Sequence, residues 1–260
     1  MNFKKLCFLF IILIPLIFTI GRKTVSESKT FQQKKIERIK KKTQENLLFS
    51  LGCNSCHTFE GPSETIPLNA RKKIKGPNLW IAGNKYQKKY LEAWLQKPTP
   101  IRGVLWGTIK KGAFQHPSLS SQKAKIISSL LQNYKDLQIK IGTVPKWKKI
   151  PRRMLRRARI LFQKKTPCYS CHKVYIRKTV YRTPIQVGGE SGPSFINAGK
   201  RLKADFIYFF LKNPKRYNPN GRMPVFGDKA FHVLTETDMV ALSAYIMSFR
   251  WIENEITIYF

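Results

Sequence analysis

The chain has 260 residues, which leaves room for one or two small domains and a tail. Lys and Arg number 49 against 14 Asp and Glu, a formal net charge of +35. That balance points to an acidic partner surface, an anionic membrane or nucleic acid, and charge alone does not choose among them. Life beside an acidic exterior, where carboxylates would protonate, is a further explanation that stays open.

In chain order, Lys4 and Lys5 precede an apolar run from Leu6 to Ile20, followed by Arg22 and Lys23. A basic segment before such a run reads as an export signal. The run is shorter than the ~20 residues of a comfortable spanning helix. It has no convincing small-x-small cleavage site; Thr19-Ile20-Gly21 comes nearest and Arg22 follows it directly. The expectation is a signal or retained membrane anchor over 1–21, with the rest outside the cytoplasm in either case. That location argues against nucleic acid as the partner. Residues 22–44 are polar and basic, with Lys34, Lys35, Arg38, Lys40, Lys41 and Lys42, and read as a solvated tether, partly helical, lying on anionic lipid.

The remainder repeats itself. Cys53-Asn54-Ser55-Cys56-His57 recurs as Cys168-Tyr169-Ser170-Cys171-His172, Gly76-Pro77 as Gly192-Pro193, Gly83 as Gly199, and Leu95-Gln96-Lys97-Pro98 as Leu211-Lys212-Asn213-Pro214, each 115 or 116 positions later. His116-Pro117 then matches Met223-Pro224 across a longer loop in the first copy, and Leu119-Ser120 matches Leu234-Thr235. Gly142, Pro145 and Pro151 mark the boundary. The expected domains are therefore 45–142 and 143–254. Predicted helices precede each first cysteine (Thr43–Leu51 and Arg152–Gln163, the latter behind Pro151 as a first helical residue), occupy the middle (Tyr86–Gln96 and Ala204–Leu211) and close each copy (Ser121–Asn133 and Glu236–Phe249). Thr235 with Asp238 three residues on is a helix-capping pattern. No alternating strand pattern stands out, so the expected class is all-α.

Of five cysteines, four lie in the two Cys-x-x-Cys pairs, and Cys7 sits in the apolar N-terminus. Disulfides are the ordinary reading in an exported chain, zinc and a thioredoxin-like redox motif are others. The His after each pair favours covalent haem attachment, in which two thiols add across the vinyl groups of one haem and the imidazole takes the iron. Zinc would need four ligands per site, and the thioredoxin motif expects a βαβ context. Two haem c groups are expected, on Cys53, Cys56 and His57 and on Cys168, Cys171 and His172.

On these motifs each copy resembles a class I cytochrome c domain. The second copy is the closer match, through Gly192-Pro193, Gly199-x-Arg201, Phe210-Leu211-x-x-Pro214 and Arg222-Met223-Pro224. The resemblance covers about residues 45 to 250 and implies that Met223 is the distal ligand of the second iron, with His232 the one competitor in that half. It also implies that the carbonyls of Pro77 and Pro193 accept the Nδ1–H of the proximal imidazoles, fixing each ring. The first copy departs from the family, because no Met lies between Met1 and Met154. The residue aligned with Met223 is His116, so a bis-imidazole iron between His57 and His116 is expected; an open iron is the alternative.

Two fully ligated haems leave no iron position for a substrate. The expected function is therefore electron transfer by a membrane-targeted dihaem cytochrome in a respiratory chain, as a carrier or as a haem subunit of a respiratory complex, and not catalysis. The expected partner is an acidic redox protein or respiratory complex, met in the periplasm or on the extracytoplasmic face of the membrane. The rival is a dihaem cytochrome c peroxidase-like enzyme. The arginines of 152–159 and Lys72, Lys73 and Lys75 are candidate docking positions.

Overall fold

The computed structural model of the protein describes residues 33, 46–105, 110–112, 115–166, 168–176, 185–227 and 234–250. The expected anchor over 1–21, the tether over 22–44 apart from Gln33, and His232 lie outside these residues. Among the described residues no helix is long and apolar enough to cross a membrane. The chain forms two units, Met1–Cys53 and Asn54–Phe260. In the first, residues 46–50 are helical. Gly52 N–H donates to the Phe49 carbonyl at 2.9 Å, and Gly52 ends that helix at φ 71, a left-handed conformation that glycine adopts at little cost.

The second unit holds nine described α-helical segments: α1 (Leu68–Lys73), α2 (Ala82–Lys85), α3 (Lys88–Gln96), α4 (Ser121–Leu131), α5 (Arg152–Ile160), α6 (Ala198–Arg201), α7 (Ala204–Lys212), α8 (Pro214–Tyr217) and α9 (Glu236–Met247). Short 3-10 turns at Cys53–Ser55 and Cys168–Ser170 carry the two Cys-x-x-Cys motifs. In the first half α3 packs along α4; in the second α9 lies across α5 and α7. The central helix α9 is buried at Met239, Leu242, Tyr245 and Ile246 and also at Ala241, Ser243 and Ala244 between them. Small residues on its remaining faces let α5, α6 and α7 approach closely.

The closing helices start alike. Thr235 Oγ1 accepts from Asp238 N–H at 3.1 Å, and Ser120 Oγ accepts from Lys123 N–H at 3.5 Å, each satisfying a backbone donor that the first turn leaves unpaired. Asp238 then takes a bidentate bond from Arg157 on α5, Nε to Oδ1 at 2.5 Å and a second nitrogen to Oδ2 at 3.0 Å. The pair ties the first and last helices of this half and holds the Asp238 carboxyl below its usual value.

Several expectations need correction. Pro151 precedes α5 with an extended ψ of 140 and is not its first helical residue. Beyond Ile160 the backbone widens into a π-helical turn over Leu161–Lys165, which turns the fully buried Phe162 into an aromatic group with Phe195, Tyr245 and Phe249. A short antiparallel hairpin is present, β1 (Val174–Ile176) with β2 (Ile185–Val187), in register Val174 to Val187, so the unit is not strictly all-helical. The third helix starts at Lys88 and not at Tyr86, because Tyr86 bridges to Leu202 of the other half.

That bridge is symmetric in sequence. Tyr86 and Leu202 are equivalent positions of the repeat. Gln87 N–H donates to Arg201 O at 2.9 Å, and Lys203 N–H to Lys85 O at 3.0 Å. Around it α2 meets α7 and α3 meets α6. The two copies thus face each other as two subunits of an isologous pair would. Trp80 and Ile81 of the first half, Phe206 and Tyr217 of the second and Ile139 close the core between them, with Trp80 stacked on Tyr217 at 5.9 Å.

Candidate haem-binding sites

The two motifs are built by matching sets of bonds. Gly76 N–H donates to Cys56 O and Gly192 N–H to Cys171 O, both at 2.8 Å. Leu79 N–H donates to Thr58 O and Phe195 N–H to Lys173 O, again both at 2.8 Å. Between these anchors the proximal imidazole meets the proline carbonyl: His57 Nδ1 lies 2.7 Å from Pro77 O, and His172 Nδ1 lies 2.6 Å from Pro193 O. With Nδ1 donating to the carbonyl, Nε2 of each ring is left as the lone-pair nitrogen. The glycines are dictated by closeness. A Cβ at Gly76 would overlap the His57 ring, and one at Gly192 would stand 2.6 Å from Cε1 of His172. Gly192→Ala is therefore expected to displace the imidazole from Pro193 and to cost about 1–3 kcal/mol by overpacking. Urea unfolding measures it, and an unmoved midpoint would contradict the argument.

The distal residues are placed by another shared bond. Three residues past His116, Leu119 N–H donates to Leu95 O at 2.9 Å; three past Met223, Phe226 N–H donates to Leu211 O at 3.3 Å. Leu95 and Leu211 are equivalent, so both distal segments dock on the same turn of the middle helix. In the first half the His57 and His116 ring centroids lie 6.2 Å apart. His116 Nδ1 lies 2.9 Å from the carbonyl of Pro117, so its Nε2 is likewise left over, and the Trp94 ring packs on it edgewise at 4.7 Å. In the second half Met223 is half-buried between exposed Arg222 and Pro224. The Phe195 ring is stacked on His172 at 4.1 Å.

Electrostatics favour neutral rings. Burial lowers His57, the Pro77 carbonyl opposes it, and the charges of His116 and Lys85 add to the lowering. Burial also lowers His116. His172 is pushed down to about 4, chiefly by burial and then, against the Pro193 carbonyl, by the charges of Arg201 and Arg102. A neutral imidazole is the form that binds metal. Cys53, Cys56, Cys168 and Cys171 are free thiols. Burial raises Cys53, and it raises Cys168 to about 11.

Residues 156–250 match the family model for cytochrome c. That stretch is similar to cytochrome c domains, helical modules that hold haem c covalently and typically carry electrons. Comparison with curated proteins and with solved structures gave no match. The residues present fit the haem. Among the described residues no three His, Cys, Asp or Glu side chains gather as a protein-only metal site requires. A haem iron takes four ligands from its macrocycle and needs only the two axial groups that a chain supplies. Bonds of about 2 Å, as between zinc and histidine, put two imidazole centroids roughly 6 Å apart across one metal, which is the His57–His116 spacing. In the stretch similar to cytochrome c, Cys168, Cys171 and His172 would hold the haem, with Phe162, Phe195, Tyr245 and Phe249 forming apolar surroundings.

Sequence reasoning missed Phe195, Trp94, Arg102 and the steric role of Gly76 and Gly192. Phe195 was open to detection as the repeat partner of Leu79. Trp94 carried no signal beyond an aromatic on a helix.

Proposed function

We propose that the chain is a dihaem c-type cytochrome that passes single electrons on the outer face of a membrane, as a carrier or as the haem subunit of a respiratory complex. The observation that carries it is the His57–His116 pair, with ring centroids 6.2 Å apart, built on the same bonded frame that holds His172 in the stretch similar to cytochrome c. In this reading His57 and His116 would hold the first haem iron, and His172 and Met223 would hold the second. The chain's own contribution is ligation, burial and orientation.

An axial Met raises haem potential and a second imidazole does not. The first site is therefore the low-potential one, and electrons pass from the first half to the second. Potentiometric titration of the purified protein should show two one-electron steps, the lower belonging to the bis-imidazole centre identified by low-temperature EPR. A lower step belonging to the His/Met centre would refute the assignment. The polypeptide should weigh two haems more than its sequence. Peroxide turnover by the reduced protein would favour the peroxidase reading. Arg152, Arg153, Arg156 and Arg159 are exposed on α5, and Lys72, Lys73 and Lys75 are exposed on and beyond α1. These are the surfaces proposed to steer an acidic redox partner. The N-terminal run is the proposed route to the membrane.

A further inference from the structure

The segment that leads from α3 toward His116 does not stay within its own half. Ser194 N–H donates to Ile101 O at 2.7 Å, Arg102 donates from its guanidinium to Ser191 O at 2.7 Å, and Gly103 N–H donates to Glu190 O at 3.3 Å. Residues 101–103 of the first half thus run along 190–194 of the second, the loop whose Pro193 carbonyl holds the His172 ring. Arg201 donates to Ser194 O on that same loop at 2.5 Å. The loop is bracketed by two guanidiniums, one from each half. Arg201 is only 4% exposed. The charge of Arg222, beside Met223, also reaches Arg102, whose guanidinium is half-buried. The nearby Glu190 carboxylate is engaged by Lys173 at 2.5 Å and Lys111 at 3.6 Å. The charges of both bracketing arginines reach His172. Positive charge so concentrated and partly desolvated favours an anion placed among it.

We propose that Arg102, carried by the first half, is a positioning cation of the second haem site, where it binds a carboxylate of the haem held at His172, so that the first half completes the cofactor site of the second. The proposal rests on the reading that a haem is attached at Cys168 and Cys171. A cation there stabilises the reduced iron relative to the more positive oxidised one, so its removal lowers the potential of that centre alone.

The test uses the full holoprotein, with R102Q and R102K compared to the unaltered chain by mass and by spectrally resolved redox titration without any partner protein. R102Q should lower the second midpoint by the equivalent of about tenfold in the ratio of reduced to oxidised iron, which is about 59 mV for one electron. The first midpoint should stay in place, and R102K should restore most of the shift. An unmoved second midpoint in R102Q, or both midpoints moving together, would overturn the proposal. If R102Q does not mature, R102M decides: a second midpoint lowered alone supports it and an unshifted one overturns it. An unaltered chain whose mass shows no haem at Cys168 and Cys171 overturns the underlying reading, and this proposal with it.

Discussion

His116→Met is expected to draw the two midpoint potentials together. The substitution puts a thioether where the imidazole stands, in a segment anchored by the Leu119–Leu95 bond at 2.9 Å, as the Met223 segment is anchored by Phe226 to Leu211 at 3.3 Å. The backbone frame thus exists already for a Met at this slot. Axial ligands span a range of ~0.8 V, so a rise in the first midpoint on the order of 100 mV is expected, with the second unchanged. The bis-imidazole EPR signal should vanish in the same variant. His116→Ala separates ligation from packing. It leaves Trp94 in place but removes the distal nitrogen, and added imidazole should then bind the first centre and bring back the original spectrum. A first midpoint that does not move in His116→Met, with an unaltered EPR spectrum, would place the distal ligand elsewhere. Because His116 is half-buried and its ring touches Trp94 from the edge, either change should cost less in folding stability than in potential.

What was legible in the sequence was local. Cys-x-x-Cys-His, the Gly-Pro that follows and the Thr235 cap are each decided by a few adjacent residues, and the structure gives each a bond that explains it. The duplication was legible because both copies need the same glycine beside the same imidazole. The short segments α1, α2, α6 and α8 were not. Four to six residues are too few to show a helical period, and hydrogen bonds to distant chain hold α2, α6 and α8. Gly83 N–H donates to Tyr134 O and Gly199 N–H to Phe249 O, which pins α2 and α6 to the ends of the closing helices. Helix α9 stops at Met247, short of the expected Phe249, because Ser248 N–H and Phe249 N–H donate three residues back, to Tyr245 O and Ile246 O, in a tightened last turn. The hairpin was invisible because each strand has only three residues. The seam through Tyr86 and Leu202 has no local signature, since it depends on how two halves face each other. Arg102 was missed for that reason, because its role is set by a loop 89 positions away.

That seam also fixes where a single change should do most damage to the fold. Arg216 on α8 reaches into the first half and makes a bidentate bond to Asp136, Nε to Oδ2 at 2.9 Å and a second nitrogen to Oδ1 at 3.2 Å. Its side chain is 16% exposed and that of Asp136 5%. The guanidinium lies 5.7 Å from the Trp80 ring centre, and Glu64 stands 3.5 Å off on the outer side. Backbone groups tie Asp136 in further, since its N–H donates to Asn84 Oδ1 at 2.7 Å. Asp136→Ala therefore leaves a cation inside the interface with only the more exposed Glu64 in reach. Removing one partner of a buried pair costs about 3–5 kcal/mol, most of it the penalty of the stranded charge. For a chain of this size that lowers the unfolding temperature by roughly 10 °C. Replacing both, as Asp136→Leu with Arg216→Leu, removes the stranded charge along with the bond and should recover much of the loss, because an apolar pair of similar volume is often as stable as the ions. Urea unfolding of the two single variants and the double variant closes the cycle. If Asp136→Ala loses no more than an exposed ion pair does, about 1 kcal/mol or less, the two halves are held together by the packing of Trp80, Phe206 and Tyr217 and by the backbone bonds between them. In that case the Arg216–Asp136 bond adds little to the register that the backbone bonds around Tyr86 and Leu202 already set.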